Sequence, residues 1–250
     1  MHCIRYKITT LSPIVISSKA GDMNRVTTER YIPGTSVLGI LANQIIMKKN
    51  LSDAHTDKDF YNWFLNGKLK ISHAYICTKD KYDKDVPYVP VPFSIQKEKN
   101  DDKTIYNLLY MDDENLKDIQ TKSIDSFCVP NFFYEKVGND RLQTKTVETS
   151  LNFHHARDRE KGVSKQGIIF NYESIAPNQI FEGHILGESA ELQKLLELTD
   201  EKKPCYVGRS KNAQYGKILF EWVDQKPKQY TFPEINVDDD EISLTCLSDT

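Results

Sequence analysis

A loop at residues 205–217 concentrates side chains that could bind a phosphate group or an RNA backbone. Gly208 and Gly216 free the backbone at its two ends. The polar side chains between them that could donate hydrogen bonds are Arg209, Ser210, Lys211, Asn212 and Gln214. Guanidinium, ammonium, hydroxyl and amide donors in one turn suit the oxygen atoms of a phosphate. The alternative is a solvated loop with glycines at its corners.

A second cationic segment lies upstream of this loop. Its candidate RNA contacts are His154, His155, Arg157, Arg159 and Lys165. A single-stranded RNA needs cations for its phosphates and aromatic rings for its bases, and Tyr172 and Tyr215 are available for stacking. Other interpretations stay open: a histidine in the core, a local hydrogen bond, or surface ion pairs of the arginines with Asp158 and Glu160.

The net charge of the chain is too low for a protein-wide positive field that could attract nucleic acid. The net charge is only -3 over 250 residues, so a nucleic-acid partner would need local basic patches. Residues 202–217 include five Lys/Arg and no acidic residue, whereas acidic residues gather at 111–118 and 234–241. This segregation along the chain permits a basic groove.

Several common enzyme and metal signatures are missing from the sequence. The five cysteines are scattered without a C-x-x-C pair, and there is no H-E-x-x-H, P-loop or G-x-S-x-G pattern. We therefore expect no metal and no cofactor. The cysteines are dispersed and odd in number, and no apolar stretch approaches about 20 residues. These features predict a soluble cytoplasmic protein without a membrane partner.

Hydrophobic periodicity predicts the elements that must position these residues. Residues 2–11 alternate as a strand, and a helix capped by Thr35 or Ser36 follows and runs through about Lys49. A short aromatic helix at 59–65 and a strand at 68–77 come next. Residues 78–141 are a proline- and charge-rich insertion, with a short strand at 89–95.

Regular structure is predicted again beyond the insertion. We expect a strand at 142–154, a polar hinge at 155–165, a hairpin of 167–175 with 179–186, a helix capped by Ser189 that reaches about 198, and a strand at 217–223. This order of strands and helices predicts an α+β, ferredoxin-like sandwich over residues 1–224, with the insertion at its centre.

The C-terminal residues suggest the start of a second domain. Residues 225–240 are rich in Lys, Pro and Asp and resemble a linker. Residues 242–248 resemble 6–12, so 241–250 could be the first strand of a truncated second copy of the domain. Chance similarity between two strands is the alternative.

Several motifs in this order resemble one protein family. They are Leu-Ser-Pro at 11–13, Tyr-Ile-Pro-Gly-Thr-Ser-Val-Leu-Gly at 31–39, Asn-Phe-His-His-Ala-Arg-Asp-Arg at 152–159, Phe-Asn-Tyr-Glu at 170–173, Phe-Glu-Gly at 181–183, and the glycine-flanked loop. The set resembles the RAMP superfamily of CRISPR-associated RNA-binding proteins, and in particular the handle-capping RAMP subunit of type III-D effector complexes.

That resemblance implies ferredoxin-like (RRM-like) domains and membership of a type III effector ribonucleoprotein in antiviral defence. The implied partners are the 5′ handle of a CRISPR guide RNA and the other effector subunits. Lys19, Arg25 and Ser36 become further candidate RNA contacts, although Leu38 stands where relatives often have a basic residue. We expect a non-catalytic subunit.

Two enzymatic alternatives stay open. A backbone-type RAMP subunit would cleave target RNA through Asp22, and a metal-independent guide-processing endoribonuclease would use His154 or His155 as its base.

Overall fold

The computed structural model describes residues 1–17, 25–79, 82, 85–101, 104–111, 119–128, 144–157, 164–211 and 214–230, with the backbone alone at 25, 110 and 154–170. The chain forms two compact units. Of the described residues, the first contains 1–75 and 147–230, and the second contains those between 76 and 146.

The strands, numbered in chain order, are β1 His2–Thr10, β2 Arg25–Val26, β3 Lys70–Ile71, β4 Tyr75–Lys79, β5 Asp85–Pro87, β6 Val89–Pro90, β7 Ile95–Glu98, β8 Ile105–Asn107, β9 Thr121–Ser123, β10 Phe127–Cys128, β11 Thr144–Lys145, β12 Thr149–Arg157, β13 Ser164–Ile175, β14 Ile180–Gly187, β15 Lys202–Tyr206, β16 Lys217–Trp222 and β17 Lys228–Gln229. The helices are α1 Gly34–Lys49, α2 Lys58–Phe60, which continues as a π-type turn Tyr61–Leu65, and α3 Ser189–Leu198.

The main sheet of the first unit is built around β1. This strand pairs antiparallel with β14 on one side and with β16 on the other, and β15 pairs with the far side of β16. Alternate residues Ile4, Tyr6 and Ile8 are fully buried, as the period of two predicts. The fold is therefore mixed α+β, with an antiparallel sheet as its dominant feature.

The helices confirm the predicted positions but not the predicted caps. Val37, Leu41 and Ile45 of α1 and Leu192 and Leu195 of α3 are buried, which gives each helix one apolar face. The helix α3 packs on β1 and β14.

The predicted helix caps are wrong. Pro33 precedes α1 and neither Thr35 nor Ser36 caps it; instead, the backbone N–H of Gly34 donates to Nδ1 of His73 at 3.0 Å. Glu188 precedes α3, so Ser189 is already helical. A buried imidazole from a distant segment replaces the local side-chain cap at α1.

The predicted hairpin of 167–175 with 179–186 is also wrong. The strand β13 pairs with β12, and β14 pairs with β1, so the chain changes sheets between them. The turn is hydrogen-bonded to the end of β1: Asn178 N–H donates to the Thr10 carbonyl at 2.7 Å, and Gln179 N–H donates to Thr10 Oγ1 at 2.9 Å. These long-range bonds fix the turn.

The hairpin that forms instead joins β12 and β13, across residues predicted as a polar hinge. The two-residue strand β2 adds to β13 in parallel, with Arg25 opposite Asn171. This second sheet belongs to the first unit and contains several of the candidate RNA contacts.

The second unit is built from short strands. The strand β5 pairs with β4, β10 lies between β6 and β11, and β7 lies between β8 and β9. Three predicted strands are interrupted: 68–77 contains β3 and β4, 89–95 contains β6 and the start of β7, and 142–154 contains β11 and most of β12. Short runs of apolar residues did not reveal these breaks.

Two further predictions concern the C-terminal part of the chain. Within the predicted linker 225–240, Lys228 and Gln229 form β17 and pair with the start of β1, so these two residues add to the main sheet. The possible second-domain strand at 241–250 lies outside the described residues. No helix in the described ranges combines the length and apolar character needed to cross a membrane.

Candidate nucleic-acid interface

The glycine-flanked loop connects β15 to β16 and is fixed on the segment Pro13–Val15. Its two ends are joined by a hydrogen bond from the Val207 N–H to the Gly216 carbonyl at 2.9 Å. Arg209 N–H donates to the Val15 carbonyl at 2.9 Å, and Gly216 N–H donates to the Pro13 carbonyl at 2.8 Å. These backbone hydrogen bonds on both sides of the turn fix the positions from which its side chains extend.

Both flanking glycines are required by this geometry. Gly208 has φ +79° and Gly216 has φ +86°, in the region that residues with a Cβ atom rarely adopt. A Cβ atom at Gly208 would collide with the carbonyl oxygen of Val15, and one at Gly216 would collide with that of Val207. The two glycines therefore allow the backbone of the loop to approach the carbonyl oxygens of Val15 and Val207 closely.

The cations of the loop are exposed, and their charge has no described counter-ion. Arg209, Lys211 and Lys217 form no ion pair with any residue that the structure describes. By contrast, Lys202 on the adjacent strand lies 2.6 Å from Oε1 of Glu221. Uncompensated cations on a fixed backbone suit a polyanionic partner.

Two of the three neutral hydrogen-bond donors of the loop are described by the structure, and both are exposed. Ser210 and Gln214 are exposed, and Ser210 adopts a left-handed conformation with φ 55°. Asn212 lies outside the described residues. These side chains remain predicted RNA contacts.

The aromatic side chains are arranged differently from the sequence prediction. Tyr215 is only 2% exposed, and its ring centroid lies 6.0 Å from that of Tyr172. The ring of Tyr215 is thus buried against Tyr172, and its RNA contact stays a prediction. Tyr206, at the end of β15, is instead 50% exposed. The sequence analysis did not select Tyr206, because the five residues of β15 include two lysines and a proline and show no strand pattern.

The second sheet brings other candidate residues towards this loop. Arg25 is opposite Asn171 in the ladder, Asn171 is opposite Phe153, and the neighbouring Tyr172 contacts Tyr215. His154 follows Phe153 on β12. Candidates far apart in sequence are therefore connected through a continuous set of neighbours.

For several of these candidates the structure describes only the backbone: Arg25, His154, His155, Arg157 and Lys165. Lys19, Arg159 and the alternative catalytic residue Asp22 lie outside the described residues. On β12, the apolar side chains of Leu151 and Phe153 are 49% and 65% exposed.

Ser36 is separate from these groups. It lies in the first turn of α1, half-buried, and its backbone N–H donates to the Pro33 carbonyl at 2.9 Å. No described hydrogen bond connects Ser36 to the glycine-flanked loop. Its RNA contact stays a prediction.

Charges elsewhere on the main sheet neutralise one another. The buried carboxylate of Asp224 accepts hydrogen bonds from Arg5 Nε at 3.0 Å and from Lys228 Nζ at 2.5 Å. Burial raises the pKa of Asp224, but these hydrogen bonds outweigh that effect and hold the pKa at about 2. In the described ranges, no group of three or more His, Cys, Asp or Glu side chains could hold a metal ion. Among the residues that the structure describes, the cations of the loop are thus a candidate site for an external anion.

Comparisons with known proteins agree with the sequence resemblance at the level of the family. The RAMP superfamily model matches residues 7–219. No curated protein matches the sequence.

Among solved structures, a chain of the apo state of the type III-B Cmr-beta complex has 14% identity and a TM-score of 0.49, with 88% of this chain and 97% of that chain covered. Oligomeric Cmr4 from Pyrococcus furiosus has 12% identity and a TM-score of 0.42, with 89% and 98% covered. A chain of a type IV-B CRISPR complex has 11% identity and a TM-score of 0.43, with 95% and 96% covered. Because the family match spans most of the sequence, the chain belongs to the RAMP superfamily.

Proposed function

We propose that this protein is a non-catalytic RNA-binding subunit of a type III CRISPR effector ribonucleoprotein, and that it contacts the 5′ handle of the guide RNA. The finer assignment follows the motif resemblance to the handle-capping subunit of type III-D complexes. Membership of the RAMP superfamily supports the general role.

One observation carries the proposal: Arg209 and Lys211 are exposed, have no described ion-pair partner, and lie on a loop whose backbone is hydrogen-bonded to Pro13–Val15. A flexible cationic loop would lose conformational entropy when it bound RNA. A loop that is already held in place loses less, so more of its electrostatic attraction contributes to affinity. The role proposed for buried Tyr215 is to support this loop from inside.

The strand order supports a ferredoxin-like core. The strands β16, β1 and β14 are adjacent, α1 follows β1 in the chain, and α3 joins β14 to the β15–β16 pair. The second sheet then extends the proposed RNA surface, with Arg25, His154, His155, Arg157 and Lys165 as its contributors. The other members of the proposed set are Lys19, Ser36, Arg159, Ser210, Asn212 and Gln214.

The proposal is tested by measuring guide-RNA affinity over a series of salt concentrations. The variant Arg209→Ala/Lys211→Ala removes two phosphate contacts, so the slope of log K against log salt should flatten by about 1.4. Between 50 and 200 mM salt, the wild-type affinity should therefore fall about sevenfold more than that of the variant. The matched control is Lys58→Ala/Lys70→Ala, which removes two exposed lysines that have no described ion pair.

The control should keep the wild-type slope. An identical slope for wild type and the Arg209/Lys211 variant would refute the phosphate contact. The 5′-handle assignment is tested with guide RNAs of equal length, with the handle sequence intact or scrambled. Equal affinity for the two RNAs would refute handle recognition, and an absence of binding to any guide RNA would refute the RNA-binding role.

A further inference from the structure

The end of the edge strand β15 presents an aromatic ring beside an uncompensated cation. Tyr206 is 50% exposed, and it lies directly opposite the exposed Lys217 in the β15–β16 ladder. Directly opposite residues of an antiparallel pair have Cβ atoms about 5 Å apart on the same face. The ring and the ammonium group therefore share one surface, immediately before the glycine-flanked loop.

This pair has a rigid base. The Lys217 backbone N–H donates to Oγ of Ser12 at 2.8 Å, and its carbonyl accepts from the N–H groups of Leu11 and Ser12 at 2.9 and 3.1 Å. Tyr206 itself is held by the ladder. Its ring and hydroxyl have no partner among the residues that the structure describes. An exposed ring on a fixed strand can stack without a large entropic cost.

We propose that Tyr206 stacks on a base of the RNA strand whose phosphates contact Arg209 and Lys211. This inference rests on the proposed RNA-binding function. Arg209 is three positions after Tyr206, a span of at most about 11 Å, so the two side chains can reach neighbouring nucleotides of one strand. The aromatic ring supplies a face that accepts any base, and Lys217 supplies charge for the adjoining phosphate.

The local charge favours RNA over a protein partner at this surface. Residues 202–217 contain no acidic side chain, and Arg209, Lys211 and Lys217 have no described ion-pair partner. A polyanion compensates all three cations at once. The sequence-tolerant nature of stacking also means that Tyr206 would add affinity without reading a particular base.

The test compares Tyr206→Leu with a matched control, Tyr61→Leu. Tyr61 is 49% exposed and lies on the π-type turn after α2, so the two variants remove the same ring at equal exposure. In the full chain, Tyr206→Leu should weaken guide-RNA binding about 5- to 100-fold, whereas Tyr61→Leu should bind like wild type. Tyr206→Phe keeps the ring and should retain wild-type affinity.

Guide RNAs with one abasic nucleotide at successive positions then locate the stacked base. An abasic nucleotide at one position should weaken binding to wild type but not to Tyr206→Leu, because that variant already lacks the stacking interaction. If Tyr206→Leu binds like wild type, or if every abasic position weakens both proteins equally, the stacking proposal fails.

Failure of the stack is distinguishable from failure of the proposed function. A flatter salt slope for the Arg209/Lys211 variant together with unchanged binding by Tyr206→Leu refutes the stack alone. Unchanged binding by both variants refutes the RNA role of this surface. A Tyr206→Leu protein that binds guide RNA normally but no longer joins its protein subunits shows a protein contact, and this also overturns the stack.

Discussion

The attachment of the glycine-flanked loop can be tested with a single methyl group. Gly208 has φ +79°, and a Cβ atom there would collide with the Val15 carbonyl oxygen. An alanine in the left-handed region costs about 1–2 kcal/mol. The displaced Arg209 N–H would also lose its 2.9 Å hydrogen bond to Val15, a loss of about 1 kcal/mol. Gly208→Ala should therefore lower the free energy of unfolding by about 2–3 kcal/mol.

The chain provides a control glycine with the opposite expected sign. Gly39 lies on the exposed face of α1, and a Cβ atom there would meet nothing within 4 Å. Gly39→Ala should stabilise the helix by about 1 kcal/mol. In thermal denaturation, Gly208→Ala should lower the midpoint by about 4–12 °C and Gly39→Ala should raise it by about 2–4 °C.

Guide-RNA binding provides the second measurement. Displacement of the loop moves Arg209, so Gly208→Ala should also weaken binding, whereas Gly39→Ala should leave affinity at the wild-type level. A Gly208→Ala protein with the wild-type midpoint and affinity would refute the close approach of the loop to Val15.

Two other predictions concern an ion pair and the absence of catalysis. Since hydrogen bonds outweigh burial and lower the pKa of Asp224 to about 2, below an unfolded value of about 3.9, its stabilisation is present above about pH 4 and lost as the pH falls towards 2. In urea denaturation at pH 7, Asp224→Asn should lower the free energy of unfolding by about 2 kcal/mol relative to wild type. A difference of the same size between the two proteins at pH 2 would contradict this reasoning. For catalysis, Asp22→Ala should leave target-RNA cleavage by an assembled complex intact, and loss of cleavage would favour the backbone-type alternative. The purified protein should not process repeat RNA without metal, and cleavage that His154→Ala abolishes would favour the endonuclease.

Local patterns in the sequence predicted the regular elements near the site. Alternation at Ile4, Tyr6 and Ile8 identified β1, and helical spacing of Val37, Leu41 and Ile45 identified α1, because burial of one face imposes these periods. The motif order also identified the RAMP superfamily. Short strands were predicted less well, since β15 has only five residues and contains two lysines and a proline.

Pairing partners were beyond the reach of local patterns. Residues on either side of the turn at 176–178 looked like a hairpin, but hydrogen bonds to Thr10 place the two strands in different sheets. The helix caps failed for the same reason, because His73 supplies the acceptor for Gly34 from a segment distant in sequence.

The sequence by itself determined the ingredients of the proposed interface: two glycines, a run of cations without acids, and nearby aromatic residues. Only the tertiary structure decided which aromatic ring is buried and which is exposed. Tyr215 packs on Tyr172, whereas Tyr206 lies on the outward side of an edge strand. The physical reason is that burial depends on which distant strand lies opposite a residue, and the backbone contacts with Pro13–Val15 that orient this loop span about 200 residues of chain.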